Sequence, residues 1–281
     1  MTLFSSVALG IIQGVTEFLP VSSSGHLAIA EQLFGMEGAS DIPAFFDVLL
    51  HLGTLAAVFA AYWADIRGMV LELFRGIADL SRRATPNPLP PARRLILLII
   101  VGTLPLFLVL PVKDAVESLG DNLYFVAGAL IFTGCLLWLC DRVAQGYKTE
   151  KDASFRDVLI VGVGQALATC PGISRSGTTI TAGCFVGFER PFAVRYSFLM
   201  SIPAILGANL LSLKDALEYG VAVEEVPVYL VGVIVAAVVG YACIRLLRMI
   251  AQRGKFGAFA VYCWAVGALT LAGTLLLNRG G

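Results

Sequence analysis

The sequence of 281 residues is 58% hydrophobic and only 14% charged, with a mean hydropathy of +0.83. Because a soluble domain carries about 25% charged residues, this composition excludes a cytosolic enzyme, a nucleic-acid-binding protein and a disordered chain. It predicts an all-α polytopic membrane protein, and the balance of 20 basic and 20 acidic residues leaves no net charge to attract a charged partner.

The chain begins with an apolar segment, residues 2–34, that is interrupted by a polar stretch from Pro20 to Gly25. The arm after the interruption is less than half as long as the roughly 20 residues that a spanning helix needs. We therefore predict a re-entrant helix-loop-helix hairpin, because irregular backbone at membrane depth must be covered by protein or line a water-filled cavity. Three predicted transmembrane helices follow, at residues 43–63, 92–111 and 122–140.

An amphipathic segment, residues 65–83, separates the first two predicted spans. Apolar side chains recur there at helical spacing with charges between them, which predicts a helix lying in the membrane interface. The simpler interpretation of this helix is a connector that rests on the membrane without a specific role.

The second half of the chain follows the same order. Residues 155–188 form a second apolar segment that is interrupted from Pro171 to Gly177, and they predict a second re-entrant hairpin. Three further spans are predicted at residues 191–213, 227–248 and 256–277. The prediction is therefore a single membrane domain, residues 1–281, with six transmembrane helices and two re-entrant hairpins.

The two hairpins align with each other without gaps. The aligned identities are Gln13 with Gln165, Ser22 with Ser174, Ser24 with Ser176, and Gly25 with Gly177. Each hairpin precedes three spans, and the odd number of crossings makes the second copy enter from the opposite face. This predicts an inverted-topology repeat, with residues 1–140 as the first copy and residues 155–278 as the second, and with a site near the midplane.

Basic residues mark one side of the predicted domain. The segments 64–94, 141–156, 188–195 and 245–255 contain 16 of the 20 Lys and Arg residues. Because positively charged loops stay in the cytoplasm, these segments are expected there. Both termini, and the opening of the site, are then expected on the external face of the membrane.

The first hairpin carries ionisable groups in apolar surroundings, where each one costs about 2.5–3.5 kcal/mol at the bilayer centre. Gln13 and Glu17 lie one helical turn apart, and their oxygens could hold Mg²⁺ or Ca²⁺. The tip adds three hydroxyls beside the His26 imidazole, a combination that suits an activated nucleophile and a general base. The hydroxyls belong to Ser22, Ser23 and Ser24, and each could instead cap the short second arm. Ser22 and Ser24 are also candidates for binding the phosphates of a substrate.

The second tip combines features of an anion site. Its glycines let the backbone approach a ligand, and the start of the following helix favours negative charge. Arg175 supplies a fork of donors that matches phosphate oxygens, although an ion pair with Glu17 or Asp47 is the alternative. The other candidate phosphate-binding residues of this tip are Ser174, Ser176, Gly177 and Thr179.

Together the two tips predict phosphoryl transfer on a lipid phosphate, since that chemistry depends on positioning and charge neutralisation. Asp47 and His51, one turn apart on the next helix, are further candidates for lining the same cavity. A transporter or flippase for polyprenyl phosphate is the main alternative, because inverted repeats with broken helices are typical of transporters. An intramembrane protease that uses Ser and His would leave Arg175 without a task.

Two motifs in these tips resemble those of bacterial undecaprenyl-diphosphate phosphatases of the bacitracin-resistance type. The stretch QGVTEFLPVSSSGH, from Gln13 to His26, resembles the (E/Q)xxxE segment of that family. The stretch PGISRSGTT, from Pro171 to Thr179, matches its PGxSRSxxT segment. The resemblance covers essentially the whole chain, which has Gln13 where many members have Glu.

The resemblance implies an enzyme of the bacterial inner membrane that hydrolyses undecaprenyl diphosphate to undecaprenyl phosphate and inorganic phosphate, recycling the lipid carrier for cell-wall synthesis. It implies a divalent cation, Mg²⁺ or Ca²⁺, with Glu17 and Gln13 as candidate ligands. Glu17, His26 and Arg175 correspond to essential residues of the family, and Ser23 joins them as a catalytic candidate. The nucleophile stays open between Ser23, His26 and water, and the sequence also leaves a homodimer open.

Overall fold

The computed structural model describes residues 1–34, 44–82, 86, 88–218 and 223–277, and these residues fold into helices. The predicted start of the first span at 43, the predicted end of the amphipathic segment at 83 and the predicted end of the second repeat at 278 lie outside the described ranges. The helices of the first half are α1 (Leu3–Phe18), α2 (Ser23–Phe34), α3 (Ala44–Ala61), α4 (Trp63–Arg82), α5 (Pro91–Thr103), α6 (Lys113–Glu117) and α7 (Leu123–Cys140). Those of the second half are α8 (Phe155–Leu167), α9 (Arg175–Phe185), α10 (Arg190–Glu218), α11 (Val226–Arg253) and α12 (Gly257–Leu277).

The described residues contain five helical segments that are long and apolar enough to cross a membrane. These segments are Pro91–Asp121, Leu123–Cys140, Arg190–Leu210, Val226–Arg253 and Gly257–Leu276. The helices α3 and α4 pass the same test as one bent pair, with 85° between them, and they bring the total to six. The prediction of an all-helical polytopic membrane protein is therefore confirmed.

The predicted span 92–111 differs from one regular helix. The helix α5 ends at Thr103, and two short 3₁₀ turns follow it, Leu104–Leu108 and Leu110–Val112. Each turn contains a proline, Pro105 or Pro111, which has no N–H for the helical ladder and whose ring clashes with the preceding turn. The prolines thus explain why the apolar run continues while the α-helix does not.

Each predicted hairpin is a pair of helices separated by a short break. The break between α1 and α2 covers residues 19–22, and the break between α8 and α9 covers residues 168–174. The second helix of each pair begins earlier than predicted because a serine caps its first turn. Ser22 Oγ accepts the Gly25 N–H at 3.3 Å, and Ser174 Oγ accepts the Gly177 N–H at 3.1 Å.

The first helix of each broken pair packs on a helix from the other half of the chain. The helix α1 packs on α11, whereas α8 packs on α5 and on the turn Leu104–Leu108. In the first contact, a Cβ atom on Gly14 would lie 2.8 Å from the Ala236 carbonyl oxygen, and one on Gly240 would lie 2.6 Å from the Phe18 ring. Small residues at such seams let helices approach closely in a membrane, so the two halves interlock.

Candidate active site

The two helix breaks meet at one cavity with a volume of about 340 Å³. Side chains from both breaks line it, and residues of α3 and α10 complete its wall. The polar residues of the lining are Thr16, Glu17, Ser22, Ser23, Ser24, Asp47, His51, Gln165, Thr169, Ser174, Arg175 and Asn209. A concave space of this size with convergent polar groups is typical of a ligand site.

The tips of the two breaks pack against each other through positions that have little or no side chain. A Cβ atom on Gly25 would lie 2.9 Å from Gly172 Cα, and one on Gly177 would lie 3.3 Å from Pro20 Cβ. Gly172 also has a φ angle of +89°, a conformation that L side chains rarely adopt. These glycines therefore set the distance between the functional groups that the two tips carry.

Glu17 is the centre of the polar network. One carboxylate oxygen accepts Arg175 Nη2 at 2.6 Å, and the other accepts Ser23 Oγ at 3.1 Å and Gln13 Nε2 at 3.3 Å. The side chain of Glu17 is 7% exposed and that of Arg175 is 20% exposed, so the ion pair is largely removed from water. The structure thus contains the ion pair that was the alternative for Arg175, and the pair joins the two tips.

The hydroxyls of the tips divide into helix caps and a group bonded to the carboxylate. Ser22 and Ser174 cap the helices that follow them. Each capping hydroxyl also lies near a second serine, with Ser22 Oγ 3.4 Å from Ser24 Oγ and Ser174 Oγ 3.3 Å from Ser176 Oγ. The remaining hydroxyl of the first tip, on Ser23, is the one that contacts the carboxylate.

Two candidates of the second tip hold α9 in place. Thr179 Oγ1 donates to the Arg175 carbonyl oxygen at 2.8 Å and lies 2.6 Å from Ser197 Oγ, and it is not among the residues that line the cavity. Ser176 Oγ donates to the Leu19 carbonyl oxygen at 3.3 Å, which connects the second tip to the first. Their predicted contact with a diphosphate remains a prediction.

His26 is also absent from the cavity lining. Its Nδ1 lies 2.7 Å from the Ser22 carbonyl oxygen, and its Nε2 lies 2.8 Å from the Tyr262 hydroxyl, with the two rings stacked. Because a carbonyl oxygen only accepts hydrogen bonds, Nδ1 carries a proton. The structure therefore places His26 between the first tip and α12, and its role in proton transfer remains a prediction.

The histidine in the cavity is His51, for which the sequence predicts only a place in the lining and no catalytic role. Its Nδ1 donates to the Asp47 carbonyl oxygen at 3.0 Å and lies 3.6 Å from the Asp47 carboxylate. The helical spacing of the pair was visible in the sequence. What the sequence could not show is that α3 turns this face towards the helix breaks.

Gln165 is the residue whose importance sequence reasoning missed. It lines the cavity, it is 1% exposed, and neither its Nε2 nor its Oε1 has a hydrogen-bond partner among the described residues. Leaving a buried polar group unpaired costs about 1–3 kcal/mol, so this amide indicates a site for a polar ligand. The alignment of the two hairpins could have identified Gln165, because it places Gln165 at the position equivalent to Gln13.

A divalent cation has a limited set of protein donors here. The described residues contain no group of three or more His, Cys, Asp or Glu side chains placed to hold a metal ion. Glu17 and Gln13 do lie side by side, and Gln13 Oε1 is buried with no partner among the described residues, although only Glu17 of the two lines the cavity. Because Mg²⁺ is usually held by one or two carboxylates plus substrate phosphates, these residues fit a cation whose shell a bound diphosphate completes.

The chain is similar to known proteins over nearly its whole length. Residues 6–269 match the family described as bacitracin resistance protein BacA. The chain is 41% identical over 275 residues to an undecaprenyl-diphosphatase of Desulforapulum autotrophicum, an alignment that covers 96% of this chain and 98% of the relative. It is 38% identical over 284 residues to an undecaprenyl-diphosphatase of Methanosphaera stadtmanae, with 99% and 100% covered. It is 41% identical over 277 residues to that of Alkaliphilus metalliredigens, with 98% and 100% covered.

Proposed function

Since the chain belongs to the bacitracin resistance protein BacA family, we propose that it hydrolyses undecaprenyl diphosphate to undecaprenyl phosphate and inorganic phosphate. The reaction returns a lipid carrier to cell-wall synthesis, and consumption of the diphosphate lipid agrees with the family's association with bacitracin resistance. The observation that carries the proposal is the ion pair of Glu17 and Arg175 across the two tips, with the Ser23 hydroxyl bonded to its carboxylate.

In this proposal Arg175 and the start of α9 bind the diphosphate. A guanidinium matches phosphate oxygens with two parallel hydrogen bonds, and a helix N-terminus stabilises negative charge. The doubly charged terminal phosphate competes with the Glu17 carboxylate for Arg175. The unpaired amide of Gln165 lies in the same cavity and can donate to a phosphate oxygen. Binding thus frees Glu17 from its ion pair.

The freed Glu17 carboxylate accepts the proton of the Ser23 hydroxyl, which already lies 3.1 Å away. Ser23 Oγ attacks the terminal phosphorus, the bond from that phosphorus to the bridging oxygen breaks, and undecaprenyl phosphate leaves with the electron pair. Water then attacks the phosphoserine phosphorus, the bond from that phosphorus to Ser23 Oγ breaks, and Oγ takes back the proton that Glu17 holds, which restores the hydroxyl and the carboxylate. Inorganic phosphate leaves with the oxygen of the water. A water molecule in place of the serine hydroxyl would give the same products in one step.

His26 has a positioning role in this proposal. Both of its ring nitrogens are hydrogen-bonded away from the cavity, to Ser22 and to Tyr262. The imidazole therefore holds the first tip against α12, and through the tip it holds the Ser23 hydroxyl. Proton transfer through His26 would require the ring to leave both partners.

Purified protein in detergent should release inorganic phosphate from undecaprenyl diphosphate, and Ser23→Ala should lower that rate by about 10²-fold. Ser118→Ala is the matched control, because this exposed hydroxyl bonds only the Ala115 carbonyl within the described residues. A wild type that releases no phosphate without a membrane would overturn the hydrolase and favour a transporter. A Ser23→Ala rate within twofold of the wild type would assign the attack to water.

We also propose a divalent cation, Mg²⁺ or Ca²⁺, as cofactor, and Glu17 and Gln13 are the residues that would hold it. Such a cation neutralises negative charge on phosphate oxygens. Chelation should therefore abolish phosphate release, and Gln13→Glu, which adds a second carboxylate, should lower the Mg²⁺ concentration for half-maximal rate by about tenfold. Gln13→Ala should raise it. An unchanged Mg²⁺ dependence in both variants would exclude Gln13 as a ligand.

We further propose that the broken helix pairs are re-entrant hairpins of an inverted repeat, residues 1–140 and 155–278. Equivalent contacts in the two tips support this. Ser22 caps the helix at Gly25, as Ser174 caps the helix at Gly177. Gly25 lies against Gly172, as Gly177 lies against Pro20. The Pro20 carbonyl accepts a hydrogen bond from Cys263, as the Gly172 carbonyl accepts one from Thr133. The exchange of packing partners between the halves fits the same relation.

For orientation, we propose that both termini and the cavity opening face outwards from a bacterial inner membrane. In a cysteine-free background, Ser118→Cys should then react with a membrane-impermeant maleimide in intact cells, since the residue before α7 lies opposite the basic segments. Ser81→Cys, in a basic segment, should react only after permeabilisation. The reverse pattern would invert the topology.

A further inference from the structure

A second cavity, which we call the apolar groove, lies between α4, α5 and α10 and has a volume of about 650 Å³. Hydrocarbon side chains form its walls, including Leu73, Ile96, Phe107 and Ile202. The one hydroxyl in the lining, on Thr103, donates to the Ile99 carbonyl oxygen at 2.8 Å, so it is satisfied within its own helix. The groove therefore offers a ligand only van der Waals contact.

The apolar groove adjoins the polar cavity along two elements of the fold. In the turn after α5, Phe107 lines the groove whereas Leu106 lines the cavity. In α10, Pro203 lines the groove whereas the next residue, Ala204, lines the cavity. The two spaces therefore lie within a residue's width of each other at both elements, close enough for one molecule to have its phosphate in the cavity and its hydrocarbon chain in the groove.

Ion pairs fix the wall that α4 contributes to the groove. Arg93 of α5 donates to Glu72 at 3.1 Å and to Asp79 at 2.8 Å. Arg195 of α10 donates to Asp65 at 2.6 Å. Because α4 is tied to both neighbouring helices, the groove is preformed and does not depend on a ligand to hold it open.

The groove also has a definite far end. The helix α4 crosses α5 near its beginning, where a Cβ atom on Gly68 would lie 3.8 Å from the Ala92 Cβ atom. Leu73, about one turn further along α4, and Ile96 of α5 line this end. From Ile96 to Thr103 the axis of α5 rises about 10 Å, so a chain must extend about that far beyond the end of the groove nearest the cavity to reach Ile96.

We propose that the apolar groove binds the polyprenyl chain of the substrate while its diphosphate lies in the polar cavity. The inference rests on the proposed function. It adds a part of the protein whose contacts depend on the length of the lipid. A bilayer acyl chain can enter the same space, but the diphosphate anchor raises the effective concentration of the polyprenyl chain at the groove. Since the bilayer is as apolar as the groove, the preference of the groove for long over short polyprenyl chains comes from packing and is modest.

The test compares undecaprenyl diphosphate with dimethylallyl diphosphate, whose five-carbon group is too short to extend along α5 as far as Ile96 and Leu73. Leu73→Trp fills the far end, and it should lower the ratio of kcat/KM for the long over the short substrate by about fivefold, mainly through KM. The matched control is Leu269→Trp, a lipid-facing residue of α12 that is 72% exposed and lies outside the groove. Its ratio should stay within twofold of the wild type.

If Leu73→Trp changes kcat/KM equally for both substrates, so that their ratio is unchanged, the groove assignment is overturned and the proposed hydrolysis is left intact. A wild type inactive toward both substrates would overturn the hydrolysis itself. A polyprenyl diphosphate with a photoreactive group near its chain end gives a second test on the wild-type protein. Labelling of residues 69–73 that excess undecaprenyl diphosphate suppresses, and phospholipid does not, would support the groove, whereas labelling spread over lipid-facing helices would contradict it.

Discussion

Replacing Glu17 with glutamine should lower kcat/KM for phosphate release from undecaprenyl diphosphate by about 10⁴-fold. Glutamine has nearly the same shape and can still accept the Ser23 hydrogen bond. It cannot take up a proton at neutral pH, and it cannot balance the charge of Arg175. The expected loss therefore combines a missing base with a cation that is left without its carboxylate in a largely buried position.

The loss should be measured by phosphate release from purified protein, beside a thermal unfolding curve for each variant. Glu150→Gln is the matched control, because this carboxylate is paired with Arg195 at 3.4 Å and does not line the cavity. We expect the control to retain a rate within twofold of the wild type. A Glu17→Gln variant that unfolds like the wild type and retains a tenth or more of its activity would exclude Glu17 as the base.

Arg175→Lys should lower kcat/KM by about 10³-fold while the protein stays folded. Lysine keeps the positive charge and can pair with Glu17, so the contact between the tips survives. It cannot form the two parallel hydrogen bonds with which a guanidinium grips a phosphate. The predicted loss therefore reports the geometry of the donors and not their charge.

Arg156→Lys provides the control for this substitution, since Arg156 is exposed at the start of α8 and outside the cavity lining. It should leave turnover unchanged. If purified Arg175→Lys works within tenfold of the wild type, charge alone suffices at this position and the proposed phosphate clamp is wrong. Glu17→Gln and Arg175→Lys combined should cost less than the sum of the single losses, because the two residues act in one network.

Hydropathy alone predicted most of the fold, because a bilayer requires long apolar helices and tolerates polar breaks only in covered positions. The interruptions that begin at Pro20 and at Pro171 were therefore readable from the sequence as broken helices, although the second break begins three residues earlier, after Leu167. The irregular end of α5 was not, since the apolar run continues through Pro105 and Pro111 and hydropathy does not register a missing N–H. Proline position was the signal that should have ended that helix early.

The candidate site was predictable in its residue types but not in their directions. The sequence predicted that Glu17, Ser23 and Arg175 lie at or near the tips. In the structure they are joined by hydrogen bonds. It could not show that His26 faces Tyr262, because that depends on how the chain turns at Ser22, which has a φ angle of +72°. A residue other than glycine rarely adopts this conformation, and the local sequence does not predict it.

The salt link between Glu17 and Arg175 has a consequence for the end of the catalytic cycle. A carboxylate fixed beside its guanidinium competes with any free anion at an effective concentration far above the roughly millimolar level typical of flexible tethers. Freed orthophosphate has no lipid chain to hold it in the site. On every turnover it must compete with the Glu17 carboxylate for Arg175. In the proposed mechanism the Glu17 carboxylate can therefore displace the product phosphate from Arg175 when the ion pair forms again.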